Sequence, residues 1–157
     1  MQLTFAPRGI LQIDDARMIF RNFSGAASQY NRAGDRDFHL VIDDTEIADA
    51  LDKEGWNVKF KPARSEDEDP LMSMKVKVKF NGYGPRCYLV SGSRRVELDE
   101  ETVGCLDDIE IESCDMDIRS YDWEMNGKTG RTAYLQSICV YQRLDRFAEK
   151  FANNEVM

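Results

Sequence analysis

Residues 72–80 read MSMKVKVKF, and Lys75, Lys77 and Lys79 alternate there with Val76, Val78 and Phe80. On a strand, alternate side chains share a face, so the three ammonium groups project together about 6.6 Å apart. That repeat is of the order of the phosphate spacing along one nucleic-acid strand. Met74, Val76, Val78 and Phe80 then turn to the core. The plain alternative is a solvated outer face, or lysines that keep a sheet edge from pairing with another chain. Other cations stand beside aromatic rings. Arg17 and Arg21 flank Phe20, and Tyr30 and Asn31 lie with Arg32 and Arg36. Arg119 shares an expected strand face with Tyr121 and Trp123. Lys128 and Arg131 border a turn, with Tyr134 after them, and Arg94 and Arg95 close a further basic run. A cationic track with stacking faces is the chemistry that holds unpaired nucleic acid, each stacked base contributing about 1–3 kcal/mol.

Patterns for catalysis are missing. The sequence has no Gly-rich phosphate loop, no HExxH and no nucleophile elbow. His39 sits among apolar neighbours in DFHLV and reads as structural. Asp43–Asp44 and Asp107–Asp108 have the residue type for a divalent ion, but Asp43 and Asp44 also suit a helix start. Cysteines 87, 105, 114 and 139 form no CxxC and read as reduced thiols, although Cys105 and Cys114 could meet in space. No metal, no cofactor and no enzyme activity is expected.

The 157 residues fit a single domain, 1–157, with a real core, and 42 % hydrophobic with 32 % charged residues is an ordinary globular composition. There is no apolar run of membrane-spanning length and no signal-peptide pattern at the start, so a cytoplasmic protein is expected. The net charge is -8, yet the charges are segregated. Residues 43–54 carry six acids against Lys53, 99–117 carry nine acids and no base, and 72–96 carry six bases and no acid. The acidic stretch 99–117 is expected to face away from a cationic groove and to offer a surface for a basic protein partner. A homo-oligomer is compatible with the pattern.

These residues must be positioned mainly by strands. Strands are expected over 10–23, 37–44, 56–61, 71–80, 86–92 and 94–98, the last two as one broken strand or as two. Thr45 is expected to cap a helix that Gly55 ends. A short helix is expected over 99–109, a long hairpin over 112–125 and 131–144 around NGKTG, and a terminal helix over 145–152 before a frayed end. Strands at short spacing with turns between them predict a small closed or half-closed barrel, mainly β with short inserted helices.

The stretches FRNFSGAASQYNRAGDRDFHLVID, GWNVKFK, MKVKVKF and YDWEMNGKTGRTAYLQSICVYQ, spread over residues 16–142, resemble phage-encoded single-stranded-DNA-binding proteins of the OB-fold type. The resemblance implies an OB-like small antiparallel barrel with a long C-terminal hairpin. It implies a sequence-tolerant, non-catalytic coat on single-stranded DNA during phage replication or recombination, in the host cytoplasm. By position it implies Lys75, Lys77 and Lys79 on a groove wall and Tyr121 or Trp123 as stacking residues. Two other readings remain open: an acidic module that mimics DNA to inhibit a host defence nuclease, and a virion or assembly component.

Overall fold

A computed structural model describes residues 1–82 and 84–144. Among the described residues, ten strands form one curled sheet: β1 (Gln2–Ala6), β2 (Ile10–Asp14), β3 (Arg17–Asn22), β4 (Arg36–Val41), β5 (Val58–Lys61), β6 (Leu71–Val78), β7 (Arg86–Ser91), β8 (Arg94–Leu98), β9 (Ile111–Met125) and β10 (Lys128–Gln142). Their hydrogen-bonded order is β1-β2-β9-β10-β6-β4-β3, with β5 on β6 and the β7–β8 hairpin on β10. The ends of that path meet through the chain itself. Only Asp15 and Ala16 separate β2 from β3. There the Ala16 N–H donates to the Cys114 carbonyl of β9 at 2.7 Å, and the Cys114 thiol donates back to the Ala16 carbonyl at 3.2 Å. One bent strand therefore pairs with β9 along its first half and with β4 along its second, and the barrel is OB-like. Most pairings are antiparallel, but β6 and β7 both run parallel to β10.

Side-chain alternation fills the interior. Leu11 and Ile13, Phe38 and Leu40, Met74, Val76 and Val78, and Cys114, Met116 and Ile118 are all buried, each set on one face of its strand. On β10 the buried residues change parity, from Ala133 and Leu135 to Ile138 and Val140. A register shift between Leu135 and Ser137 inserts one residue and so carries the second half of the strand back onto the core.

Several sequence expectations are refined. The stretch 10–23 is two strands, and β1 precedes them; β1 is largely exposed, so its composition carries little burial pattern. Helix α1 (Thr45–Lys53) is capped by Asp44, not Thr45: the Asp44 carboxylate accepts the Glu46 N–H at 2.8 Å. Gly55, at φ +93°, ends α1, with Gly55 N–H on Asp52 and Trp56 N–H on Leu51. The helix expected over 99–109 is a 3-10 turn, Val103–Asp107, burying Val103 and Leu106. The long hairpin turns on Asn126–Gly127 alone, both with φ > 0, so its strands continue through 128–130. Phe80 lies just beyond β6, half-buried. Cys87 and Cys114 are buried and Cys105 is exposed, all as free thiols; burial pushes the Cys87 and Cys114 thiols up to about 12. No described helix is long and apolar enough to cross a membrane. The expected terminal helix 145–152 lies outside the described residues.

Candidate nucleic-acid interface

The barrel's outer face gathers residues from four strands. Because Val76 and Val78 point inward, Lys75 and Lys77 point outward on β6. The ladders then fix their neighbours. Lys77 stands opposite Asp37 of β4 on one side and Tyr134 of β10 on the other, and Lys75 stands opposite His39. Tyr134 in turn stands opposite Arg119 of β9, Thr132 opposite Tyr121, and Gly130 opposite Trp123. Directly opposed residues share a face, so Arg119, Tyr121 and Trp123 are brought onto the side that carries Lys75 and Lys77.

Two open crevices meet at Lys75 and Lys77. One, of about 500 Å³, runs between β6 and the hairpin and is lined by Trp56, Met74, Trp123, Gly130, Arg131 and Thr132 besides the two lysines. The other, of about 450 Å³, is lined by Tyr30, Arg32, Arg36, Asp37, Lys79, Phe80 and Glu100 with the same two lysines. Tyr30 is 89 % exposed at the tip of the 23–35 loop, Tyr121 is 56 % exposed and Trp123 is 40 % exposed. Tyr134 is enclosed by cations: the Arg119 guanidinium lies over its ring at 4.8 Å and the Lys79 ammonium at 5.6 Å. The Tyr121 ring meets it edge-on at 6.2 Å.

Carboxylates are present too. Asp37 pairs with Lys75 at 3.7 Å, a contact that is half exposed on the lysine side and correspondingly weak. Glu100 reaches Arg36 at 3.6 Å and lines the second crevice, so one member of the acidic stretch 99–117 faces the groove rather than away from it. Three more of its acids, Asp99, Asp107 and Asp115, hold the frame. Asp107 accepts the Phe23 and Ser24 N–H groups at 2.6 and 3.0 Å, and Asp115 accepts the Asp15 N–H at 3.0 Å. Asp99 accepts from Glu101 and Thr102, and the Thr102 hydroxyl holds its carboxyl below the usual range. Among the described residues no group of three or more His, Cys, Asp or Glu side chains is placed to hold a metal ion.

The remaining cations divide by what they touch. Arg21 donates to the Leu106 and Ile109 carbonyls at 2.7 and 3.0 Å, tying β3 to the 3-10 turn. Arg36 donates to the Phe23 carbonyl at 2.9 Å and lies over Phe80 at 5.4 Å. Arg131 grips Asp122 at 2.7 and 3.3 Å, donates to the Glu54 carbonyl at 2.6 Å and covers Trp56 at 5.3 Å. Arg17 lines a separate cavity with Asp15, Asp43 and Glu112. Arg32 pairs with Asp35 at 3.7 Å on the rim of the second crevice. Lys128 is exposed beside the hairpin turn. Arg94 and Arg95 belong to the β7–β8 hairpin, which joins β10 at 137–141 and so stands about 20 Å along the strand from Thr132; Arg95 stacks on Tyr88 at 5.1 Å. Tyr134, which the sequence sets beside Lys128 and Arg131, lies instead between Arg119 and Lys79, partners the pattern did not show. Its place opposite Arg119 follows from counting outward from Asn126–Gly127.

Comparison with known proteins places the chain in a family and its fold among solved structures. The family model described as "Putative phage ssDNA-binding domain" matches residues 1–156. No curated protein matches the chain. Among solved structures, the single-stranded DNA-binding protein from bacteriophage Enc34 matches as a C-terminal truncation with TM-score 0.59 and 11 % identity, covering 90 % of each chain. The same protein without that truncation gives TM-score 0.58 and 11 % identity, covering 94 % of this chain and 93 % of that one. Its complex with ssDNA gives TM-score 0.55 and 12 % identity, covering 92 % and 93 %. At such identity the structural likeness is one of fold.

Proposed function

The chain belongs to the phage ssDNA-binding domain family, whose model covers residues 1–156, and from that premise we propose that single-stranded DNA runs through the paired crevices of the outer face. The carrying observation is that the two crevices share Lys75 and Lys77 and are each lined by an exposed aromatic ring, Trp123 in one and Tyr30 in the other. Phosphates sit against the two lysines, with Lys79, Arg32 and Arg119 beside them, and bases stack on Trp123, Tyr121 and Tyr30. The elements are those an OB barrel uses for oligonucleotides: a strand face, the loop after the first barrel strand, and the late hairpin. Arg21, Arg36 and Arg131 act as framework, because their guanidinium groups are committed to backbone carbonyls, and Arg17, Arg94 and Arg95 lie off the path.

Contacts of this kind read charge and ring faces rather than base edges, so binding tolerates sequence. The protein coats DNA without chemistry during phage replication or recombination, in the host cytoplasm, as one domain. The DNA-mimic reading is weakened at Asp99, Asp107 and Asp115, whose carboxylates are turned to backbone N–H groups.

The test is fluorescence anisotropy with a labelled oligo-dT at two salt concentrations. Affinity of the parent protein falls with salt, by a slope of about 0.7 per phosphate neutralised. Lys75→Glu with Lys77→Glu abolishes binding and leaves the melting temperature close to that of the parent. A folded double variant with parental affinity would remove the groove from the argument.

A further inference from the structure

Phe20 stands 64 % exposed on β3 with φ +52°, the left-handed region that a bulky side chain rarely adopts. The ladder shows what that conformation achieves. Met18 opposes Leu40 on the core face and Ile19 opposes His39 on the outer face, so an unbroken strand would set Phe20 against Phe38 in the core. Instead the register shifts between Ile19 and Asn22, and Phe23 takes the place on Phe38, stacked at 5.4 Å with Phe23 fully buried. A bulge that turns one phenylalanine out and the next one in re-aims a side chain at the expense of backbone strain.

The ring is aimed at a cationic patch. It meets His39 edge-on at 5.4 Å and 89°. His39 opposes Lys75, while Lys59 and Lys61 of β5 oppose Ser73 and Leu71, odd-numbered positions of β6 like Lys75 and Lys77. The His39 imidazole is held below its ordinary value by burial first. Lys75, Lys59 and Lys61 push it the same way, against Asp37, so all three ammonium groups bear on this spot. None of Phe20, Lys59 and Lys61 lines either crevice.

We propose that Phe20 is a base-stacking residue on a second limb of the site, where one nucleotide's base lies on its ring and the flanking phosphates rest against Lys59, Lys61 and Lys75. The proposal rests on the single-stranded-DNA reading above. It extends the footprint from the hairpin and β6 across β4 to the bulge of β3.

Phe20→Asn tests it, because asparagine accepts the left-handed backbone and offers no stacking face. Anisotropy with a labelled oligo-dT of about 16 nucleotides is read beside thermal melting, for the parent, Phe20→Asn and Phe20→Tyr. The expected result is a melting temperature for Phe20→Asn that holds or rises, with affinity reduced about tenfold and restored in Phe20→Tyr. Parental affinity in Phe20→Asn would overturn the inference alone. So would a lowered melting temperature with affinity lost in proportion, which would make the ring framework. If the parent itself fails to bind, or if the Lys75→Glu, Lys77→Glu protein binds as the parent does, the DNA reading falls and Phe20 loses its ligand with it.

Discussion

Trp123 owes its position to a neighbour without a side chain. A Cβ on Gly130 would stand 2.6 Å from Cε2 of the indole and closer still to Cζ2, so the ring lies directly across the backbone of β10. One face is thereby held and the rest borders the first crevice, so the stacking proposed for this ring would use a surface set in advance. Gly130→Ala should lift the indole and weaken oligo-dT binding severalfold without changing one charge. Trp56 is 3 % exposed, so quenching of tryptophan fluorescence by DNA reports on Trp123, and it should shrink in the variant. Quenching and affinity equal to the parent's would disprove the arrangement. At this scale the sequence was readable where the signal was local. The alternation of lysine with valine is enough to set Lys75 and Lys77 outside, whereas NGKTG marks the hairpin but not its register, which the structure sets by turning on Asn126–Gly127 alone. What the guanidinium groups do was not readable. Arg21 ends on carbonyls 85 and 88 residues away, and no local pattern announces such a partner.

Arg131 joins two elements that the chain separates by 77 residues. It clasps Asp122 across the hairpin, caps the Glu54 carbonyl at the end of α1 and covers Trp56, thereby fixing the wall of the first crevice. Arg131→Met should lower stability by about 1–2 kcal/mol, measured by denaturant or thermal unfolding, and should blunt binding only through a looser hairpin. Its bond to Asp122 holds that carboxyl below the usual 3.8. A depressed carboxylate pKa contributes stability above the unfolded value and loses it as pH falls through the folded one. The gap between parent and variant should therefore narrow below about pH 4, and a constant gap would assign the effect to packing on Trp56. Elements with a strong period or a defined turn were legible: β6, α1 and the β9–β10 hairpin. The first strand escaped notice because an exposed edge strand buries too little to leave a pattern, and the bulge of β3 because one inserted residue blurs the alternation around it.

Across the whole molecule, the net charge of -8 misleads about where an anion could bind. Segregation of charge along the sequence hints at a cationic face, and the fold keeps it in part: Asp52 lines the first crevice and Asp35, Asp37 and Glu100 the second, where Asp37 and Glu100 pair with Lys75 and Arg36. The path of the sheet was likewise beyond local reading, since the parallel meeting of β6 with β10 joins segments some 57 residues apart. That meeting has a mechanical consequence. β6 and β10 touch through two register pairs, Ala133–Val76 and Tyr134–Lys77, while β9 and β10 are laddered along nearly their whole length. The ring of strands thus has a thin seam, and the first crevice opens along it, between Lys75 and Lys77 on one bank and Thr132 and Trp123 on the other. On the path proposed above, DNA would bridge both banks and act as a staple. Amide deuterium exchange at 75–78 and 132–135 should slow on saturation with oligo-dT more than exchange in β1 and β2 does. Uniform slowing across the barrel would mean that the polymer fastens somewhere else.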